Sequence, residues 1–123
     1  MCIRDRVNLG KESFAGKAAL QAERQAGVKQ TFVTLTIDDP TDVEPFGEAV
    51  YLSTVLIDGN VAGLVVSAGY GHRIGQSIAM AVVDSAMLEN GGALSVDVLG
   101  RERAAQRVEG DVIYDPTNER MKV

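Results

Sequence analysis

The chain alternates between apolar and polar residues over several stretches of strand length. In QTFVTLTI the apolar residues Val33, Leu35 and Ile37 share one face, and the threonines between them share the other. The stretch ALSVDVLG repeats this pattern with Leu94, Val96 and Val98. Because successive side chains of a strand point to opposite faces, a period of two predicts strands that bury one face.

Turn signals separate these stretches. Asp58 and Gly59 stand between the β-rich runs AVYLSTVLI and VAGLVVSA, and an Asp-Gly pair is a strong signal for a two-residue hairpin. Farther on, Gly100-Arg101 suits a type II′ turn into ERAAQRV, and DVIYDP predicts a last short strand that ends at Pro116. Several short strands joined by tight turns indicate a β-sandwich or a barrel.

One segment near the start has helical character. SFAGKAALQAERQAG is rich in alanine, offers Ser13 as an N-cap and places Gly27 where a helix commonly ends. We therefore expect one helix near residues 13–26, leaning on the β domain. The flexible apolar side chains of Met80 and Met87 are expected to fill the core or its margin.

The segment SAGYGHRIGQSIAMAVVD admits two interpretations. Gly69, Gly71 and Gly75 form G-x-G-x-x-x-G, one residue longer than the dinucleotide-binding fingerprint, and Glu89 lies at the distance expected of a ribose-binding acid. The alternative is a glycine-bearing bend between two strands. Apolar spacing after Gly75 fits either a helix or a strand face, so the residues by themselves leave both interpretations open.

Composition and charge narrow the function. The chain has 123 residues, of which 46% are hydrophobic and 24% charged, so it suits one domain with its own core. A net charge of −5 with scattered Lys and Arg argues against nucleic acid as a partner. No apolar run approaches the roughly 20 residues of a membrane span, so no membrane partner is expected. One cysteine and no secretory segment lead us to expect a cytoplasmic protein.

The opening six residues, MCIRDR, are interpreted as foreign to the protein. They resemble the translation of the transposon adaptor used in sequencing libraries. We expect residues 1–6 to be an artefact without native contacts, and the chain to be the C-terminal part of a longer protein. A genuine short N-terminal arm is the alternative.

Three ordered sets of residues resemble a known family. They are K-x-x-F-x-G-K-x-A-L from Lys11 to Leu20, then DGNVAGLVVSAGYGHRIGQSIAMAVV, then VIYDPTNERMK. Together they resemble the C-terminal domain of the glycine-cleavage aminomethyltransferase (T-protein) family. The resemblance implies a mainly β fold, an antiparallel six-stranded barrel with one N-terminal helix. It also implies that the glycines form a turn and that 77–84 is a strand.

Two departures resemble a particular branch of that superfamily. Gly71-His72 replaces the family's usual Ser-Pro, and YDPTNERMK extends beyond the point where many T-proteins end. Both features resemble the C-terminal ends of FAD-dependent sarcosine and dimethylglycine dehydrogenases. In those enzymes an FAD domain oxidises an N-methyl amine, and a tetrahydrofolate-binding region traps the one-carbon unit. The alternatives are the glycine-cleavage aminomethyltransferase itself, a non-catalytic folate-binding scaffold of the same superfamily, or an interaction module that shares only the fold.

The resemblance also implies a domain organisation. Residues 7–28 would be the tail of a preceding folate domain with its linking helix, and 29–123 the barrel. The catalytic carboxylate and most of the folate pocket would belong to the preceding domain, with FAD farther upstream. The partners implied are that folate domain of the same chain and a small N-methylated amine. One face of the barrel would dock on the folate domain, so we expect an exposed apolar patch.

Three residues are candidates for the rim of the folate cavity, and none is a catalytic or metal-binding candidate. Tyr70 could line the cavity, although an aromatic residue at a strand end commonly serves packing. His72 could carry a proton near folate, or be an ordinary loop residue. Arg120 could reach the glutamate tail of folate, although the family's terminal-strand arginine aligns nearer Asp115. The acidic group Asp38, Asp39, Asp42 and Glu44 is interpreted as a solvated connection.

Overall fold

Six antiparallel strands close into a barrel. The computed structural model describes residues 7–38, 51–117 and 119–121. Its strands are β1 (Gln30–Ile37), β2 (Thr54–Ile57), β3 (Asn60–Gly71), β4 (Gln76–Asp84), β5 (Leu94–Val98) and β6 (Arg101–Arg107), and they follow one another around the barrel in the order β1-β4-β3-β2-β5-β6. Its helices are α1 (Lys17–Ala26) and α2 (Ser85–Asn90), with short 3₁₀ turns at Glu109–Asp111 and Glu119–Met121. The mainly β, six-stranded antiparallel barrel with an N-terminal helix is therefore confirmed.

The barrel interior is filled by the apolar residues that alternate along the strands. Leu35, Val55, Val65, Val83 and Val96 are all fully buried. On β4 the inward positions are small, and Ala79 and Ala81 leave room for the larger side chains opposite. Burying a Val or Leu side chain contributes about 1.5–3 kcal/mol, so this lining supplies much of the folding free energy.

The glycine-rich segment is a turn between two strands. β3 runs to Gly71, β4 starts at Gln76, and the two pair antiparallel from Gly71↔Gln76 back to Gly63↔Val83. A strand, not a helix, therefore follows Gly75, and the dinucleotide-loop interpretation is wrong. Gly63 is not part of this turn, and it allows β3 and β4 to approach closely. A Cβ there would overlap the carbonyl oxygen of Val82 and lie 2.8 Å from the Cα of Val83.

Two-residue turns close the other hairpins. Asp58 and Gly59 join β2 to β3 with φ of 49° and 76°, which fits the predicted Asp-Gly hairpin. The sequence-based prediction for the β5–β6 turn lies one residue too far along the chain. Its central residues are Leu99 and Gly100, with φ of 52° and 82°, so the expected type II′ turn at Gly100-Arg101 is wrong. Positive φ at both central positions is the type I′ pattern.

The helices differ from expectation at their ends. α1 begins after Gly16, which has φ of 87° and provides no side-chain cap, so Ser13 is not the N-cap. None of the residues of α1 is buried. The helix α2, which starts directly where β4 ends, is not predicted by the sequence pattern. The Asp84 carboxylate accepts a hydrogen bond from the backbone N–H of Met87 and caps this helix.

The predicted last strand, DVIYDP, is irregular instead. After β6 the chain forms a 3₁₀ turn and continues to Thr117 without strand pairing. The physical reason is that β6 pairs with β1 and closes the barrel, so no free edge remains. The strand predicted from AVYLSTVLI is also shorter, since β2 starts at Thr54 and residues 49–50 lie outside the described part.

The outside of the barrel is apolar over β3 and β4. One row of paired residues crosses four neighbouring strands on the side away from the core. It consists of Phe32 on β1, Val82 on β4, Leu64 on β3 and Thr54 on β2. Leu64, Val66 and Met80 are exposed there, and we call these three residues the outer apolar face. Met80 is therefore surface rather than core, contrary to expectation. Met87 does pack against the core.

Candidate functional site

A cleft of about 440 Å³ lies on the outside of the barrel, between the β3–β4 turn and the segment that follows β6. We call residues 108–121 the C-terminal segment. Its start is fixed by a hydrogen bond from the N–H of Val108 to the carbonyl of Thr34 (2.9 Å). Thr34 is buried, although it alternates with the inward residues of β1. The residues that line the cleft are Thr34, Gly71, His72, Arg73, Ile74, Ile78, Met80, Val112, Ile113 and Tyr114.

The β3–β4 turn forms one wall of the cleft. The carbonyl of Gly71 accepts hydrogen bonds from the N–H groups of Ile74 (3.0 Å) and Gly75 (2.8 Å), which closes the turn. A Cβ on Gly71 would lie 2.7 Å from Ile74 and 2.8 Å from Ile78. Glycine is therefore required for these two isoleucines to pack over the backbone. Their packing makes the floor apolar and places His72 and Arg73 at the rim.

Tyr114 connects this wall to the C-terminal segment. The Arg73 Nη1 donates a hydrogen bond to the Tyr114 hydroxyl (3.0 Å), and the Arg73 guanidinium carbon lies 5.4 Å from the ring centre. The Arg120 guanidinium carbon lies 5.2 Å from the same ring centre. Both distances are within the range of cation–π attraction. Two arginines that are distant in sequence thus meet at one tyrosine.

Asp115 sets the position of Arg120. Its φ of 51° turns the chain, and its carboxylate accepts hydrogen bonds from the N–H groups of Glu119 (3.0 Å) and Arg120 (3.1 Å). The carboxylate therefore caps the 3₁₀ turn Glu119–Met121, whose second residue reaches Tyr114. Asp115 acts here on the backbone of the turn.

The three residues singled out from the sequence lie in two places. His72 lines the cleft, and the Tyr70 ring meets it edge-on with centroids 5.1 Å apart. Tyr70 itself is outside the cleft lining. Arg120 contacts Tyr114 rather than His72 or Tyr70. The structure thus gives one aromatic pair and one arginine–tyrosine cluster beside a common cleft.

Sequence reasoning missed Arg73 and Tyr114. Arg73 follows His72 in the glycine-bearing turn. Its position beside His72 at the edge of the cleft could therefore have been inferred from the sequence. Tyr114 was assigned to a strand, which gave no reason to pair it with either arginine. Only the tertiary fold brings these residues together.

Several described carboxylates form hydrogen bonds that serve local structure. They cap helices, hold turns or bridge neighbouring strands, and they include Asp58, Asp84, Asp97, Glu102 and Asp115. No carboxylate is among the described residues that line the cleft. Across residues 7–38, 51–117 and 119–121, no three His, Cys, Asp or Glu side chains converge as a metal site would require. The cleft therefore offers apolar and cationic binding groups but no acid–base pair.

Of the acidic group at the end of β1, only Asp38 lies within the described residues, where it is exposed. Cys2 and Ile3, for which we expect no native contacts, lie outside the described residues. Neither α1 nor α2 has the length and apolar character that a bilayer-spanning helix needs.

Comparison with known proteins identifies the family. The sequence profile of the glycine cleavage T-protein C-terminal barrel domain matches residues 30–115. An aminomethyltransferase of Moorella thermoacetica is 35% identical over 103 residues, which cover 84% of this chain and 26% of that protein. The human mitochondrial dimethylglycine dehydrogenase is 31% identical over 118 residues, which cover 94% of this chain and 13% of that protein.

A solved structure supports the same fold. The glycine cleavage system aminomethyltransferase T from Bartonella henselae superposes with a TM-score of 0.60 and 21% identity, over 86% of this chain and 26% of that one. The chain thus spans about a quarter or less of the length of these relatives. The family profile, in contrast, matches the whole barrel from the first residue of β1 through β6 to Asp115. The chain belongs to the glycine cleavage T-protein C-terminal barrel domain family.

Proposed function

We propose that the chain is the C-terminal barrel of an FAD-dependent N-methylglycine dehydrogenase, acting on sarcosine or dimethylglycine, and that it helps to close a tetrahydrofolate site. This choice rests on the share of the chain that each relative matches. The human dimethylglycine dehydrogenase matches 94% of this chain, against 84% for the Moorella aminomethyltransferase. The longer match suits the terminal YDPTNERMK extension, which contributes Tyr114 and Arg120 beside the cleft.

In this proposal the barrel binds and encloses rather than catalyses. FAD bound elsewhere in the protein would oxidise the N-methyl amine, and tetrahydrofolate would accept the one-carbon unit. Tyr70, His72 and Arg120 would form part of the rim of the folate cavity. Tyr70 and His72 meet edge-on and offer aromatic rings for contact, and the Arg120 guanidinium suits a carboxylate.

The absence of a carboxylate from the described cleft lining supports a non-catalytic role for the chain alone. A positioned acid or base commonly contributes 10²- to 10⁴-fold to a rate, and no Asp or Glu is among the described lining residues. We therefore expect the isolated chain to turn over no N-methylglycine and to bind tetrahydrofolate weakly or not at all.

The outer apolar face gives the barrel a surface for its partner. Leu64, Val66 and Met80 are exposed on adjacent strands, and Met80 also lines the cleft. Contiguous exposed apolar surface commonly marks an interface. We propose that the folate-binding domain of the same chain covers this face, which would bring the cleft to the edge of the folate site.

The second candidate function is the glycine-cleavage aminomethyltransferase itself. It is favoured by the higher identity to the Moorella aminomethyltransferase, 35% against 31%. A non-catalytic folate-binding scaffold is the remaining alternative. All three candidate proteins would contain this barrel, so the other domains of the gene product would distinguish them.

The test uses the complete gene product that contains this chain. We expect bound flavin, flavin reduction by sarcosine or dimethylglycine, and methylene-tetrahydrofolate formation when tetrahydrofolate is added. Folate-dependent activity without flavin would replace the proposal with the aminomethyltransferase. Folate binding without either activity would replace it with the scaffold. Micromolar folate binding or turnover by the isolated 123-residue chain would contradict the non-catalytic role of the barrel.

A further inference from the structure

Asn90 and Gly91 lie at the end of α2, where the chain turns toward β5. The chain has four asparagines, and only Asn90 is followed by glycine. Asn90 is exposed as the last residue of α2, and Gly91 follows it with φ of 75°. The side-chain amide of an asparagine can react with the backbone nitrogen of the next residue, and a glycine leaves that nitrogen open because it has no Cβ. Asparagine is among the thermally labile residues of proteins.

The local backbone restrains this reaction only weakly. The Gly91 N–H donates a hydrogen bond to the carbonyl of Leu88 at 3.3 Å, which is beyond the usual range of about 2.7–3.2 Å. Asn60 is held more firmly, because it precedes the β-branched Val61 in β3 and its Nδ2 donates a hydrogen bond to the preceding turn (3.2 Å). Asn90 is therefore better placed to react than Asn60.

The loop after Asn90 is attached to the β2–β3 turn. The Asp58 N–H donates a hydrogen bond to the carbonyl of Ala93 (3.0 Å), and the Ala93 N–H donates one to the Asp58 carboxylate (2.9 Å). We call these two hydrogen bonds the Asp58–Ala93 latch. Gly92 has φ of 141°, and a Cβ there would overlap the Asp58 carboxylate, so the loop fits tightly against this turn.

The latch continues the pairing of β2 with β5 beyond Ile57↔Leu94. Residues 91–93 alone connect α2 to β5, and α2 itself packs on the core through Met87 and Leu88. So short a connection between two packed elements has little slack. A change in the length of the main chain at Asn90 would therefore be passed on to the latch.

We propose that Asn90 is a site of spontaneous deamidation, and that its isoaspartate product opens the Asp58–Ala93 latch. The backbone nitrogen of Gly91 bonds to the side-chain carbonyl carbon of Asn90, and the bond from that carbon to Nδ2 breaks. The proton of the attacking nitrogen leaves with the amide nitrogen as ammonia, and a cyclic succinimide remains. The site belongs to the barrel itself and does not depend on the proposed function.

Water then opens the succinimide at one of its two carbonyl groups. Cleavage at the side-chain carbonyl gives aspartate, whereas cleavage at the main-chain carbonyl gives isoaspartate. Both products add a carboxylate beside the last carbonyls of α2, where negative charge is unfavourable. Isoaspartate also lengthens the main chain by a methylene group, directly before the tight loop.

The experiment incubates the 123-residue chain in mildly alkaline buffer at body temperature and follows each asparagine by peptide mass spectrometry. We expect Asn90 to deamidate roughly tenfold or more faster than Asn8 and Asn60, which corresponds to a barrier lower by about 1.4 kcal/mol. Enzymatic methylation by an isoaspartyl methyltransferase measures the isoaspartate fraction. The amides of Asp58 and Ala93, followed by NMR, should exchange with solvent several-fold faster in the incubated chain.

Three variants separate the site, the charge and the longer main chain. Asn90→Gln should abolish the isoaspartate signal, since its amide would have to close a larger ring, and Asn8→Gln should leave the signal unchanged. Freshly purified Asn90→Asp adds the charge without lengthening the main chain, so it should accelerate exchange at Ala93 less than incubation does.

Deamidation of Asn90 no faster than that of Asn60 would overturn the inference. So would an isoaspartate signal as strong in Asn90→Gln as in the unmodified chain, because that signal would come from Asp58-Gly59. Unchanged exchange at Ala93 in a chain rich in isoaspartate would refute the opening of the latch.

Discussion

Arg73 and Tyr114 are 41 residues apart in sequence and meet through a 3.0 Å hydrogen bond from Nη1 to the phenolic oxygen. The bond ties the β3–β4 turn to the C-terminal segment, whose described residues form no strand pairing. At the start of that segment, the N–H of Val108 donates a hydrogen bond to the carbonyl of Thr34. The tyrosine therefore attaches the segment to the barrel at a second place.

Removing the Tyr114 hydroxyl should loosen this segment without unfolding the barrel. Tyr114→Phe keeps the ring contacts but loses the bond to Arg73, which is worth about 0.5–1.5 kcal/mol. We expect the backbone amides of Glu119 and Arg120 to exchange several-fold faster with solvent, as measured by NMR. Tyr51→Phe, at an exposed tyrosine, should leave those rates unchanged. Unchanged rates in both variants would show that the ring contacts suffice.

Gly63 and Gly69 offer a matched pair on β3. A Cβ at Gly63 would overlap the Val82 backbone, whereas one at Gly69 would meet nothing within 4 Å. Backbone cannot move aside as a side chain tip can, so Gly63→Ala should lower the free energy of unfolding by about 1–3 kcal/mol or more. Gly69→Ala should change it by less than about 0.5 kcal/mol. Urea denaturation of both variants measures the difference, and equal effects would mean that β3 and β4 lie farther apart than described.

The β3–β4 hairpin shows what the sequence could establish. Alternation in QTFVTLTI and ALSVDVLG and the Asp-Gly pair were sufficient for β1, β5 and the β2–β3 turn, because those signals are local. The identity of 77–84 as a strand was ambiguous from periodicity and needed the family resemblance. Local signals were insufficient where the closure of the barrel determines whether a segment can pair. DVIYDP has a strand-like sequence, but the closed barrel leaves no free strand edge with which it could pair.

The candidate site was less predictable than the fold. His72 could be placed at a turn because the glycines around it were visible. The link between Arg73, Tyr114 and Arg120 depends on how the C-terminal segment crosses the barrel, and no spacing in the sequence encodes that crossing. Leu99 illustrates the same limit on a smaller scale. A leucine with φ of 52° is unusual, so nothing in the sequence indicates Leu99 as a central residue of the turn.

Two serines allow a test of polar burial. The Ser77 hydroxyl is buried without a hydrogen-bond partner in the described structure, whereas the Ser95 hydroxyl bonds to the Glu102 carboxylate at 2.6 Å. An unsatisfied buried hydroxyl costs free energy, so Ser77→Ala should leave stability unchanged or raise it by up to about 1 kcal/mol. Ser95→Ala should lower stability by about 1 kcal/mol. A marked loss in Ser77→Ala would reveal a water molecule or ligand bound inside the barrel.

The outer apolar face provides the last prediction, which concerns the partner domain. Leu64 is 43% exposed in the middle of β3, so Leu64→Gln should cost the isolated chain less than about 1 kcal/mol in unfolding free energy. If the folate-binding domain covers this face in the complete gene product, the same change buries an amide against apolar surface. Burial of an unbonded amide costs about 1–3 kcal/mol, so the barrel should then unfold at a lower temperature than in the unmodified protein, as a separate calorimetric transition. Ala104→Gln, at an exposed position of β6 on the polar side of the barrel, is the matched control and should behave as the unmodified protein in both settings. Leu64→Gln effects of the same size in the isolated chain and in the complete protein would show that this face stays in solvent, and the docking surface would have to be sought elsewhere on the barrel.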